Sequence, residues 1–204
     1  MTENIPLLWV VRHGQTILNA EGKFRGNRDV PLDEVGRKDA KRLVKFFEDK
    51  DFGLVVCSNR KRAVQTAEPL ARSHGTVAHP TEALHALDVG EFSGKPKSKE
   101  NVAKLEMYIS NPDMDIPGGE SLNHFRARVQ PLFRDGIAEA IKIGKPLVFV
   151  IHSSGIHEIS NLVYHDHKKI LVDPGGVVEV YAQNGKLGAR ALLRPTTGKT
   201  DVIT

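Results

Sequence analysis

The chain has one cysteine, Cys57, in 204 residues. A lone thiol cannot build an internal disulfide framework, so a small stapled scaffold is excluded. The N-terminus lacks the basic start, apolar core and cleavage site of a secretory signal. No apolar run approaches the length of about 20 residues that a bilayer-spanning helix requires. A cytoplasmic protein without a membrane partner is expected. Aromatic residues make up only 6% of the chain. The basic residues behind its net charge of +4 are spread along it rather than clustered with aromatics, so nucleic acid is not an expected partner. Internal repeats and low-complexity segments are also missing. With 40% hydrophobic residues the chain can bury an ordinary core, and one domain over residues 1–204 is the default.

Three apolar runs break off in the same way. Leu7-Leu8-Trp9-Val10-Val11 ends at Arg12-His13-Gly14, and Leu54-Val55-Val56-Cys57 leads into Ser58 and Arg60-Lys61-Arg62. Pro146-Leu147-Val148-Phe149-Val150-Ile151 ends at His152-Ser153. Continuous apolar runs of this length read as buried parallel strands. In open α/β sheets, ligands bind beyond the carboxyl ends of the strands. If the three strands are neighbours, Arg12, His13, Arg62 and His152 converge on one site, and that site suits an anion.

Between these runs the pattern alternates. A loop rich in turn formers runs from Gly14 to Pro31. Asp33 caps a helix of about 16 residues with Val35, Ala40, Leu43, Val44 and Phe47 on its apolar face. A second helix spans about Arg60 to Ser73 and closes near Gly75. A short strand at Thr76 to His79 and a loop-rich stretch follow, then helices at about Glu100 to Ser110 and Ser121 to Ile143. Residues 80–120 are expected to form a partial lid over the site. Ser154 can cap one more helix, Val177 to Tyr181 with Lys186 to Leu193 reads as a hairpin, and residues 194–204 read as a loose polar tail. Alternating helices and strands predict an α/β fold with a doubly wound, mostly parallel β-sheet flanked by helices.

Two other chemistries fit less well. A cysteine-dependent phosphatase places five residues between its thiolate and an arginine, whereas four separate Cys57 from Arg62 and no glycine-rich anion loop follows. Cys57 therefore reads as a small buried residue. His165-Asp166-His167 and His157-Glu158 are ligand-like, but the pair of histidines one turn apart that marks a zincin is missing, so no metal is expected. Val172-Asp173-Pro174-Gly175-Gly176 reads as a turn. A phosphoryl group in transfer needs positioning and charge stabilisation, which two arginines and two histidines supply.

The motifs taken in order resemble the histidine phosphatases, the phosphoglycerate-mutase-like superfamily. Arg12-His13-Gly14-Gln15-Thr16 with Asn19 is similar to the family's opening signature. Asp29-Val30-Pro31-Leu32 with Gly36, Ser58 with Arg62-Ala63-Val64-Gln65-Thr66-Ala67, Pro117-Gly118-Gly119-Glu120-Ser121 and His152-Ser153 resemble the later ones. The resemblance covers about Leu7 to Tyr181. It implies that His13 is the nucleophile that becomes phosphorylated. Arg12, Arg62 and His152 would hold the phosphoryl oxygens, Asn19 would add a donor, and Gly14, Gln15 and Ser153 would be further substrate contacts. The doubly wound fold is implied as well, and no cofactor is.

One position departs from the family. The segment Leu84 to Gly94 aligns with a loop of the form Leu-x-Glu-x-x-x-Gly-x-x-x-Gly, which puts Ala86 where many members have the glutamate that protonates the leaving group. Asp88 on the same loop could replace it, as in short phage-encoded or bacterial members that this chain resembles; the bland reading of Asp88 is a cap on its own turn. A second explanation is a substrate, such as a phosphoramidate, that needs little acid help. A third is an introduced substitution or lost activity. The expected function is a metal-independent phosphatase acting on a phosphate monoester or phosphoramidate through phospho-His13. The alternative is a phosphate-ligand binding protein without turnover, and a phosphomutase comes third for want of the glutamate. Expected partners are a small phosphorylated substrate or a phosphoprotein, with the protein a monomer or homodimer. Lys95, Lys97, Lys99 and Lys104 could reach a second anionic group, although solvent exposure is their ordinary role.

Overall fold

The computed structural model describes residues 3–164, 170 and 172–193. Six strands form one sheet in the order β3-β2-β4-β1-β5-β6. They are β1 (Ile5–Arg12), β2 (Val55–Ser58), β3 (Ala78–Thr81), β4 (Leu147–Ile151), β5 (Val177–Gln183) and β6 (Lys186–Leu193). β1 to β4 run parallel, and the terminal hairpin adds β5 and β6 antiparallel. The sheet is therefore mixed, with the expected parallel part running from its β3 edge to β1.

Helices cover both faces because the buried strands are apolar on both. On one face Trp9 and Val11 of β1 pack with Leu43 and Phe47 of α2 (Glu34–Phe47) and Ala63, Ala67 and Leu70 of α3 (Lys61–Ser73). On the other, Leu8, Val10, Phe149 and Ile151 meet Phe133 of α5 (Leu122–Ile143) and Ile156 and Ile159 of α6 (Ser153–Tyr164). This two-sided wrapping is the doubly wound arrangement. Local signals set the helix ends. Asp33 accepts from the Gly36 amide to open α2, Ser121 accepts from the His124 amide to open α5, and Gly144 closes α5 with φ of 69°. Val35, expected on the apolar face of α2, is exposed, since that face is carried by Ala40, Leu43 and Phe47.

Chain leaving β1 returns over the α2 face, whereas chain leaving β4 returns over the α6 face. The two strands are neighbours in register, Arg12 opposite Ile151. Their carboxyl ends thus mark a point where connections diverge, the ordinary position for a ligand in such sheets. The loop after β1 holds one short helix, α1 (Ile17–Ala20), and residues 80–120 hold two 3-10 turns and α4 (Lys99–Ser110). The strand expected at Thr76 begins two residues later, at Ala78. The tail at 194–204 and the His165-Asp166-His167 cluster lie outside the described residues. Among the described residues no helix is long and apolar enough to cross a membrane.

Candidate active site

The three apolar runs are the adjacent strands β2, β4 and β1, so their ends meet. His13 follows β1, and its amide donates to the Ile151 carbonyl at 3.0 Å, which sets it beside His152 at the end of β4. The two rings lie 5.1 Å apart at 61°. Arg62 sits in the first turn of α3 after β2. Its Nε–H is shared between Nε2 of His13 at 3.2 Å and Nδ1 of His152 at 3.3 Å. Its terminal nitrogens donate to the carbonyls of Arg28 at 2.7 Å and Gly26 at 3.2 Å. Arg12 donates to the Val172 carbonyl at 2.8 Å. All four side chains are buried.

These contacts assign the protons. Nδ1 of His13 lies 2.7 Å from the Gly14 carbonyl, which can only accept, so Nδ1 carries the hydrogen and Nε2 presents its lone pair. Burial pushes the His13 imidazolium well below its ordinary value, and Arg25, Arg62, His152 and Arg12 push the same way. His13 is therefore neutral at pH 7. On His152 the logic is reversed: Nδ1 accepts from Arg62, so Nε2 carries a hydrogen. That Nε2 is buried and has no partner among the described residues. An unpartnered buried donor beside guanidinium groups asks for an acceptor. Burial, followed by Arg62 and Arg25, keeps His152 neutral too. Burial lowers Arg62 itself to about 10, which leaves it charged at neutral pH.

The loop around His13 is held by close backbone approach. The Gly14 amide donates to Thr66 Oγ1 at 3.0 Å, and Thr66 donates to the Arg62 carbonyl at 2.7 Å, which ties the His13 loop to α3. A Cβ on Gly14 would stand 2.5 Å from the Gly36 carbonyl oxygen, and one on Gly36 would stand 2.1 Å from that of Gln15. No other residue fits at either position. Gly175, at φ 75°, donates its amide to the carbonyls of Arg12 and His13 at 3.0 and 3.1 Å. The Val172 to Gly176 turn, read from sequence as a plain turn, is thus a support of the site.

A cavity of about 230 Å³ opens beside Arg62 and His152, while Arg12 and His13 are not among its lining residues. Arg62, His152 and Ser153 line it, and Arg25 lines it as well, a residue that the sequence reading missed. Ala86 is on its wall and Asp88 is not. Asp88 instead accepts from the Gly90 amide at 3.0 Å, the cap on its own turn. Gly14 and Gln15 do not line the cavity, and Gln15 gives its amide to Asp39 at 3.1 Å. Asn19 Oδ1 takes hydrogens from the amide and hydroxyl of Thr16 at 3.1 and 3.0 Å. Ser154, expected as a helix cap, lies inside α6 and accepts from the Leu87 amide at 3.0 Å.

The Ala86 loop is clamped from behind. Arg128 donates to the carbonyls of Ala83, His85 and Ala86 at 3.1, 2.8 and 2.9 Å, and to Glu120 at 2.6 Å. Glu120 accepts in turn from the Asp88 amide at 2.9 Å. A Cβ on Gly90 would meet the Pro117 carbonyl at 2.1 Å, so the Pro117 to Ser121 motif serves as a fitted brace. Of the candidate lysines, Lys95 pairs with Glu91 and Lys104 with Glu100, while Lys97 lines the cavity. Cys57 is a core residue, its thiol pushed up to about 12 by burial.

The family model of the histidine phosphatase superfamily (branch 1) matches residues 8–189. A 2,3-bisphosphoglycerate-dependent phosphoglycerate mutase of Methylorubrum populi is 29% identical over 162 residues, 75% of this chain and 76% of that one. A Hydrogenobacter thermophilus protein provisionally named phosphoserine phosphatase 2 is 27% identical over 187 residues, 88% of this chain and 91% of that one. In fold, the chain is similar to a mycobacterial glucosyl-3-phosphoglycerate phosphatase solved with VO3, with a TM-score of 0.75 and 22% identity over 92% of this chain and 97% of that one.

Proposed function

The chain belongs to the histidine phosphatase superfamily, and from that premise we propose that it is a metal-independent phosphatase working through phospho-His13. The observation that carries this reading is the bond from His13 Nδ1 to the Gly14 carbonyl, which leaves a neutral Nε2 inside a cluster of guanidinium groups. The Nε2 lone pair attacks phosphorus, and the bond from phosphorus to the ester oxygen breaks toward the leaving alcohol, which takes a proton. Water then attacks the phosphohistidine, the P–N bond breaks, its electron pair returns to Nε2, and inorganic phosphate leaves. Arg12, Arg25 and Arg62, with the His152 Nε2–H, meet the three equatorial oxygens where charge develops.

A mutase must protonate and deprotonate substrate hydroxyls efficiently. The alanine at position 86, on the cavity wall, has no proton to give, which favours hydrolysis over transfer back to substrate. The cavity volume suits a small phosphorylated molecule better than a protein surface. The test is quench in alkaline detergent during turnover of phenyl phosphate labelled in phosphorus, with His13→Ala as control. A base-stable, acid-labile label that disappears in the variant is expected. Saturable ligand binding without turnover or label would make the protein a phosphate-binding module instead.

A further inference from the structure

The phosphate site opens into a space that is mostly hydrocarbon. Phe24, Leu87, Val102, Leu105, Ile109 and Phe125 face it, two of them on loops, one on α5 and three on the helix α4. An apolar cavity of about 150 Å³ is enough for benzene, so about 230 Å³ takes a single substituted ring. Lys97, Glu106, Arg126 and Asn161 also line it, but a sugar or glycerate chain would set several of its hydroxyls against the hydrocarbon between them.

The wall carries two carboxylates, Glu158 and Glu106 of α4, and none on the loop at position 86. Ala86 presents a methyl group. The Glu158 carboxylate is buried and occupied, accepting from Arg126 Nε at 3.2 Å, Gln130 at 2.7 Å and Asn161 at 3.5 Å. A leaving oxygen that departs unaided must be a stable anion. A phenol ionises near pH 10, against about 15.7 for water, and aliphatic alcohols resemble water.

We propose that the substrate is the phosphate monoester of a small phenol, its ring seated in the apolar cavity under α4 and its phosphate between His13 and His152. The turnover part of this rests on the phosphatase reading above; the ligand part does not. As His13 Nε2 bonds to phosphorus, the phenolate leaves with the electron pair of the P–O bond and takes its proton from water.

Two measurements separate the parts. In calorimetric binding, phenylphosphonate, which cannot be hydrolysed, is expected to bind roughly tenfold to a hundredfold more tightly than 2-hydroxyethylphosphonate, the gain from burying a ring. Val102→Asn and Ile109→Asn, both at half-buried lid positions that tolerate a polar residue, are expected to erase most of that ratio. Equal affinities overturn the proposal. In turnover, phenyl phosphate is expected to exceed cyclohexyl phosphate, which has the same size, by at least a hundredfold in kcat/KM. Equal rates mean that a wall group, Glu106 of α4 first among them, protonates the leaving oxygen, and they also overturn the proposal. If the phosphonate preference holds but neither ester turns over, the phosphatase reading fails and the ligand class stands.

Discussion

Arg62 holds its Nε–H 3.2 Å from Nε2 of His13, so a guanidinium that burial lowers to about 10 rests on the lone pair that the proposed reaction uses for attack. The same hydrogen is shared with His152, and the other guanidinium nitrogens are anchored on two carbonyls. In the proposed reaction an arriving phosphoryl oxygen takes over the Nε–H and releases His13 while the anchors hold. Lysine keeps the charge but cannot hold this geometry, because one ammonium replaces a planar fork. Arg62→Lys is expected to lower kcat/KM for phenyl phosphate by about 10²- to 10³-fold, the usual effect of removing an aimed donor. Steady-state kinetics on folded protein checks this, and a loss under tenfold would place the main oxyanion contact elsewhere.

The two buried histidines make stability depend on pH. Both imidazoles have folded-state values lowered well below the ordinary 6.5 of an unfolded chain. Below that value the unfolded chain binds protons that the native state refuses, so stability is complete above about 6.5 and falls as pH falls. Each histidine contributes a slope of about 1.4 kcal/mol per pH unit in the window between its unfolded and folded values. Half-buried His85 shifts in the same direction, and Asp39, raised by burial, opposes it only near the carboxylate range. Urea unfolding from pH 7.5 down to 5 is expected to show a loss that steepens toward about 2–3 kcal/mol per unit. In His152→Gln the slope should drop by about half, and an unchanged slope would remove His152 as a source.

Arg128 supports the site without touching it. Three loop carbonyls and Glu120 rely on its guanidinium, and both partners of the pair are largely shielded. Arg128→Ala leaves these acceptors and the Glu120 carboxylate without partners, with an expected loss of about 2–4 kcal/mol in unfolding free energy. For a domain of this size that lowers Tm by roughly 5–15 °C. Differential scanning calorimetry checks it. A Tm within two degrees of the parent would mean that the Gly90 to Pro117 contact alone holds the loop.

What the sequence revealed, and what it hid, divides along a physical line. Strand ends were readable because a buried parallel strand is an apolar run whose stop is abrupt, which brought Arg12, His13, Arg62 and His152 together before any topology was known. The glycines at 14 and 36 were visible as motif letters, but their reason, a backbone approach between a loop and a helix start, is tertiary. Arg25 was hidden because it lies in a turn-rich loop with no periodicity to aim it. The Arg128–Glu120 clamp was hidden because an ion pair between a long helix and a loop leaves no spacing in the chain. Asp88 was ambiguous for the opposite reason: an aspartate two residues before a glycine serves a turn as readily as a reaction, and its bond to the Gly90 amide is the turn.

That ambiguity can be settled together with the alanine at 86. Asp88→Asn keeps an oxygen for the Gly90 amide but cannot give a proton in catalysis. If Asp88 only caps its turn, the variant should hydrolyse phenyl and cyclohexyl phosphates within about threefold of the parent. A selective loss on cyclohexyl phosphate of 10²-fold or more, the scale of general acid catalysis, would restore Asp88 as the acid. Ala86→Glu makes the complementary change, since position 86 faces the cavity and its backbone is fixed by Arg128. A carboxyl added there stands on the wall where the leaving oxygen departs. It is expected to raise cyclohexyl phosphate turnover by about 10²- to 10⁴-fold. Phenyl phosphate should gain little, because its leaving group needs no proton in the transition state. The ratio of the two esters, rather than either rate, is the quantity to follow, because a general loosening of the loop lowers both rates while an added acid moves only one.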